Sequence, residues 1–178
     1  MIQLPPLPSW DSLHPLIVHF PIALLLVFPV FVLIGASLSP AEGRPYLSAA
    51  LILLLLGTVS LCVSVQSGEA ASQLVDRSPS VAALLGAHQN LANETRDVFV
   101  TLCLMGLGVF LFPPLFGRGG RLSSRVLPLS FLVFYTVGII FLVNTADRGG
   151  RLVHELGVRA MISPTTEKPA ATPADPKP

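Results

Sequence analysis

The chain has 178 residues, 52% of them hydrophobic and 12% charged, with a net charge of +1 and a mean hydropathy of +0.71. Soluble domains carry about 25% charged residues, so this composition excludes an ordinary soluble domain. It also excludes a nucleic-acid binder, because there is no strong positive field and no basic patch mixed with aromatics.

Residues 1–11, with Pro5, Pro6, Pro8 and Trp10, are a short lead-in, and Trp10 suits the headgroup belt. No charged residue lies between Asp11 and Glu42. That run exceeds the ~20 apolar residues an α-helix needs to cross a bilayer. It lacks a basic leader and is too long for a signal-peptide core, so no cleaved signal is expected. Its mouth reads Leu13-His14-Pro15-Leu16-Ile17-Val18-His19-Phe20-Pro21. Ser12 or His14 is expected to cap the first helix, with Pro15 in its first turn. Pro21 and Pro29 lie inside the helix and free the carbonyls of Ile17 and Leu25. A neighbouring helix must satisfy such carbonyls in lipid, and a kink near His19 is expected.

A turn over Ser39–Pro45 leads to a second span from Tyr46 to Ser67. Gly57, Ser60, Ser64 and Gly68 form a stripe of small residues on it, which predicts close helix packing. The chain leaves the membrane over Glu69–Pro79 and a third helix starts near Ser80. It passes His88 and the Glu94, Arg96, Asp97 turn, and stops at Pro113-Pro114. Only 15 uncharged residues precede that stop, too few to span alone, so the charged turn must lie at the interface and face the bundle or pair internally. This helix is expected to project beyond the membrane. A basic loop holds Arg118, Arg121 and Arg125, and a fourth span follows from Val126 to Ala146. Gly149-Gly150 either ends that helix or permits close backbone approach. Asp147 and Arg151 would pair if the helix persists.

These readings predict an all-α, integral membrane four-helix bundle of up-down-up-down topology. Its spans cover about 15–38, 46–67, 92–112 and 126–146 within a domain of residues 1–162. The Pro-rich tail 163–178 is expected to be disordered. Such a topology puts both termini and the Glu69–Asp97 loop on one side, together with His14, His19, His88 and His154. Arg44, Arg118, Arg121 and Arg125 in the short opposite loops favour the histidine side being outside a bacterial cytoplasmic membrane.

Four histidines on one face suggest a shared site, since neutral imidazole is the commonest metal ligand. A haem b is the first candidate, with axial ligands drawn from His14, His19, His88 and His154, and Arg96, Arg148 and Arg151 available for its carboxylates. A Cu or Zn site at His19, His88 and His154 is the second. A proton or pH-sensing cluster is the third. His14 and His19 are five apart, about 140° around a helix, so both face one site only if the prolines bend the backbone. His19, close to the Pro21 kink, is favoured over His14, which serves as the cap. Cys62 and Cys103 form neither a disulfide framework nor a Cys-x-x-Cys-His haem attachment, and read as inert core thiols. No nucleophile elbow, phosphate loop or His-Glu-x-x-His helix is present, so an enzyme acting by itself is not expected. The leading functional reading is a membrane redox subunit. The alternatives are a cofactor-free structural subunit and a small metal or proton transporter or sensor.

Residues 13–25, Ser67-Gly68-Glu69-Ala70-Ala71, the start of the His88 helix and Gly149-Gly150-Arg151-Leu152-Val153-His154-Glu155-Leu156-Gly157-Val158 together resemble the bacterial membrane proteins of domain of unknown function 2231. The resemblance covers about residues 12–160. That family pattern often has tyrosine in place of His154, and Thr-Gly in place of Ser67-Gly68. The resemblance implies a four-span bundle and supplies no activity. Some relatives look as though they are joined to or encoded with cytochrome-like proteins, which implies a redox partner besides the lipid bilayer and leaves homo- or hetero-oligomers open.

Overall fold

The computed structural model describes residues 9–111 and 121–158. Every regular element among them is helical. A 3-10 turn (Trp10–Ser12) precedes α1 (His14–Ile17), α2 (His19–Ser37), α3 (Pro40–Ser72), α4 (Pro79–Leu111) and α5 (Arg121–His154). Among the described residues, three helical stretches are long and apolar enough to cross a membrane: His14–Ser37, Pro40–Ser72 and Arg125–His154. In α4 the turn of Glu94, Arg96 and Asp97 interrupts the apolar run, which resumes at Val98. The proline stop at 113–114, the first part of the basic loop (117–120) and the Pro-rich tail lie outside the described residues, whereas Arg121 and Arg125, expected in that loop, belong to the first turns of α5.

The break between α1 and α2 falls at Val18. Proline at 21 has no N–H to offer Ile17, and the next bond, from Ile22 N to the Val18 carbonyl, is stretched to 3.5 Å. Pro29 leaves no break. The Tyr135 hydroxyl from α5 donates to the Leu25 carbonyl at 2.8 Å, which is the acceptor that Pro29 strands. Tyr135 is 1% exposed. It stacks with Phe28 at a centroid separation of 4.4 Å and meets Phe99 edge-on at 5.6 Å. These contacts join α2, α4 and α5 in one aromatic core.

The link between α2 and α3 is shorter than the turn expected over Ser39–Pro45. Only Leu38 and Ser39 lie outside helix. Ser39 is the extended N-cap, its hydroxyl donates to Glu42 at 2.7 Å, and Pro40 takes the first helical position, where no N–H is needed. Close glycine contacts then set the register. Gly43 meets the Gly35 carbonyl, Gly57 seats Leu25, and Gly68 seats His14. Residue numbers fall on α1–α2 as they rise on α3, so the two run in opposite senses. The small-residue stripe of α3 thus packs as expected. The same holds between α4 and α5, where Gly106 meets Phe131, Gly138 meets Phe99 and Leu102, and Gly149 meets His88. The helices also touch as α3 with α4 and α2 with α5.

Of the two readings of Gly149-Gly150, close approach holds: the helix continues through them to His154, and Gly149 receives the His88 ring, while no atom lies within 4 Å of a Cβ at Gly150. One expectation for α5 changes. Arg151 pairs with Glu155, four residues on, at 3.1 Å, and not with Asp147. The helix closes at Gly157, whose φ of +67° lies in the left-handed region that favours glycine. The reversal lets the Val158 N–H donate to the Leu152 carbonyl at 3.0 Å.

Candidate functional site

One cavity of about 140 Å³ opens where α1, the end of α3, the first half of α4 and the end of α5 meet. His14 and Pro15 form one wall. His88 and Gln89 form another. Val65, Leu85, Leu152 and Val158 make most of the rest apolar.

Both histidines are pinned in the same way. His14 Nδ1 lies 2.9 Å from the Ser64 carbonyl oxygen and 3.2 Å from Ser67 Oγ. The Ser67 hydroxyl itself donates to the Ser64 carbonyl at 2.9 Å. His88 Nδ1 lies 3.1 Å from the Thr145 carbonyl oxygen. A carbonyl only accepts, so Nδ1 carries the proton in both rings. The neutral form therefore keeps its lone pair on Nε2, the tautomer a metal-ligating imidazole uses. Each ring also rests on a glycine of the neighbouring helix. A Cβ at Gly68 would stand 2.7 Å from His14 Cε1, and one at Gly149 would stand 3.1 Å from His88 Cε1.

Polar clamps hold the His88 side in register. Thr95 and Thr145 join by hydroxyls at 2.7 Å, and Thr95 donates to the Leu91 carbonyl at 2.6 Å. Arg148 Nη1 donates to the Ala87 carbonyl at 2.9 Å, one residue before His88. Burial holds the His88 imidazole below its ordinary value of 6.5, with His14 and Arg148 acting in the same direction and the Thr145 bond opposing them. Protonation is thus easier in the unfolded chain than in the folded one. The contribution of His88 to stability is complete above pH 6.5 and is lost as pH falls below it. Unfolding of cofactor-free protein in bicelles, followed from pH 8 to pH 5, should show an acid loss that shrinks in His88→Gln.

The other expected site residues lie elsewhere. His19 is exposed, two residues from Pro21 on a helix whose buried face is Pro21, Leu25, Phe28 and Val32. A two-residue offset turns a helical side chain by about 200°. His154 is exposed for the same reason, two residues beyond the buried Leu152. No group of three or more His, Cys, Asp or Glu residues that could share a metal occurs among the described residues, so His19, His88 and His154 do not assemble. Leu13 and not His14 occupies the N-cap of α1. Arg96 pairs with its neighbour Asp97 at 3.0 Å. Arg96, Arg148 and Arg151 are all absent from the cavity wall, so the expected cationic cradle does not form there. Cys103 is buried in the hydrophobic core and Cys62 is half-buried.

A family model described as a predicted membrane protein (DUF2231) matches residues 11–161. The chain belongs to the DUF2231 family. The matched span takes in both cavity histidines, both glycine seats and the three membrane-length helical stretches, and it ends beyond the Gly157 reversal. No curated protein and no solved structure matches the chain. This DUF2231 protein is therefore a membrane protein with several apolar helices. Sequence reasoning missed Ser64, Ser67, Gly68, Thr145 and Gly149 as parts of the site. One signal was available: a histidine near the start of one helix faces the far end of its hairpin partner, where Ser64, Ser67 and Gly68 stand.

Proposed function

We propose that this chain is a four-span protein of a bacterial cytoplasmic membrane, with the histidine cavity and both termini outside, that holds a haem b between His14 and His88 as an electron-transfer subunit. A cytochrome or other redox protein is its partner. The observation that carries this reading is the matched pair of imidazoles. They come from different helices, have Nδ1 tied to a main-chain carbonyl, and leave Nε2 free to ligate in one apolar cavity. Axial ligand identity is a main control on haem potential.

The fourth span is α4. Val100, Leu104, Met105 and Leu111 are exposed on it, an apolar outer stripe like those of α2, α3 and α5. The Arg96–Asp97 pair lowers the cost of a charged turn at the outer boundary.

The donor set fits haem iron, and the size sets a condition. A cavity of about 140 Å³ is near the ~150 Å³ that admits a single benzene ring. A macrocycle therefore needs the mouth to widen. Leu74 and Val153, on the cavity wall, are 47% and 53% exposed and can be displaced.

The test is the absorption spectrum of purified protein after growth with ample haem. A Soret band and a pyridine haemochrome are expected. His14→Ala or His88→Ala should reduce bound haem at least tenfold, and His19→Ala and His154→Ala should leave it unchanged. A colourless wild-type preparation that also contains no metal would reject the reading in favour of a structural subunit. A metal without haem would point to the transporter or sensor class.

A further inference from the structure

Two polar stations face away from the bundle. On α2, His19 is exposed and heads a stripe that continues through the exposed Ala23, Val27 and Val30. Its ring makes no hydrogen bond or ion pair among the described residues. On α4, Asn90, Glu94, Asp97 and Thr101 are exposed at the three- and four-residue spacing that forms one helix face. The Asp97 side chain is 70% exposed despite its bond to Arg96. Thr95 meets Thr145 and Leu102 meets Gly138, so Asp97 stands level with the part of α5 that exposes the apolar Ile140 and Val143. Ionisable side chains at such a depth are costly against lipid and are normally paired or turned to a protein interior. The two stations also share one level. Leu25 of α2 sits on Gly57 of α3, and Leu54 of α3 sits on Gly106 of α4. Counted along α3 from those contacts, His19 and Asp97 fall within about one helical turn of each other in depth. They point in different directions, because the helices touch in the cycle α2, α3, α4, α5 and α2 and α4 occupy opposite corners.

We propose that the chain associates with copies of itself head to tail, the α2 face of one copy packing on the α4 face of the next, with the His19 ring donating to the Asp97 carboxylate of the neighbouring copy. Glu94, one turn above, adds a second acceptor to the same face. α2 and α4 run in the same sense, so copies in one membrane bring them together in parallel with the levels already matched. That match sets Ala23 beside Thr101 and Val30 beside Gly108. A Cβ at Gly108 would meet no atom within 4 Å, which leaves room for a neighbour's side chain to approach closely. Each copy uses its two faces on two different neighbours, so the contact is heterologous and builds a ring or a row. The inference rests on α4 being the fourth span and is independent of what fills the histidine cavity.

The test is disulfide cross-linking between copies in native membranes, on the full chain with Cys62→Ala and Cys103→Ala. Coexpressed chains carrying Ala23→Cys and Thr101→Cys should form the mixed cross-link, and neither chain expressed alone should form a dimer. Light scattering of the purified protein with its native cysteines should give a mass above two copies. His19→Leu and Asp97→Asn should each shift that mass toward the monomer, and the exchange of His19→Asp with Asp97→His in one chain should restore it. A monomeric wild-type protein, or Thr101→Cys chains that cross-link to each other as readily as to Ala23→Cys chains, would overturn the interface. Leu104→Cys separates this failure from that of the fourth span, since Leu104 is 66% exposed on α4. If a membrane-impermeant maleimide labels it in intact cells, α4 does not span and the interface falls with it. If it is protected in a monomeric protein, the interface alone falls.

Discussion

Tyr135→Phe is expected to destabilise the folded protein by about 1–2 kcal/mol, toward the upper end for a hydrogen bond between transmembrane helices. Most such bonds are worth less, because the backbone partner keeps its intrahelical bond. Here it cannot. Pro29 removes the N–H that would have reached Leu25, and the Tyr135 hydroxyl is the donor at that carbonyl, at 2.8 Å. The ring removed from its partner would remain packed, since Phe fills the same slot among Phe28, Phe99 and Phe131. The effect therefore isolates the bond. Pro29→Ala restores the main-chain donor and should rescue the loss. In a double-mutant cycle the coupling between positions 29 and 135 should be about 1 kcal/mol, read from unfolding equilibria in bicelles. If Tyr135→Phe costs the same in the wild-type chain and in the Pro29→Ala background, the hydroxyl does not replace the missing N–H.

Gly43→Ala is expected to cost about 3 kcal/mol, the upper part of the range for overpacking. A Cβ at 43 would collide with the carbonyl oxygen of Gly35, which is main chain and cannot rotate aside. The α2–α3 hairpin would have to open at its closed end, next to the two-residue link of Leu38 and Ser39. Gly86→Ala is the matched control. No atom lies within 4 Å of a Cβ there, and replacing a helical glycine should stabilise by up to ~1 kcal/mol. Thermal unfolding of the two variants in one detergent should move in opposite directions. A Gly43→Ala protein as stable as Gly86→Ala would refute the close backbone contact.

Much of the helical organisation is readable from local patterns. The membrane-length helices follow from uncharged run length, which depends only on the cost of burying charge in hydrocarbon. The α3 stripe of Gly57, Ser60, Ser64 and Gly68 follows from 3.6-residue periodicity, and Pro21 and Pro29 announce stranded carbonyls. Helix ends are less legible. Pro40 through Pro45 look like a turn in isolation, yet α3 starts there, with Ser39 as its extended N-cap and Pro40 in its first turn. Gly149-Gly150 could end a helix or admit a neighbour, and α5 runs on through them with the His88 ring seated on Gly149.

The histidine ranking shows the limit of sequence order most clearly. His14 and His19 stand in the same motif, and spacing shows only that they point about 140° apart. Which of them turns inward depends on the rotation of α2 about its axis. That rotation is set by Gly35 on Gly43, Leu25 on Gly57 and Tyr135 on Leu25, contacts between residues far apart in sequence. Composition and run length were enough to establish an apolar, all-helical membrane protein. Tertiary packing alone decided that His14 and His88 share a cavity while His19 and His154 face away, because a side chain's direction depends on the helix it packs against.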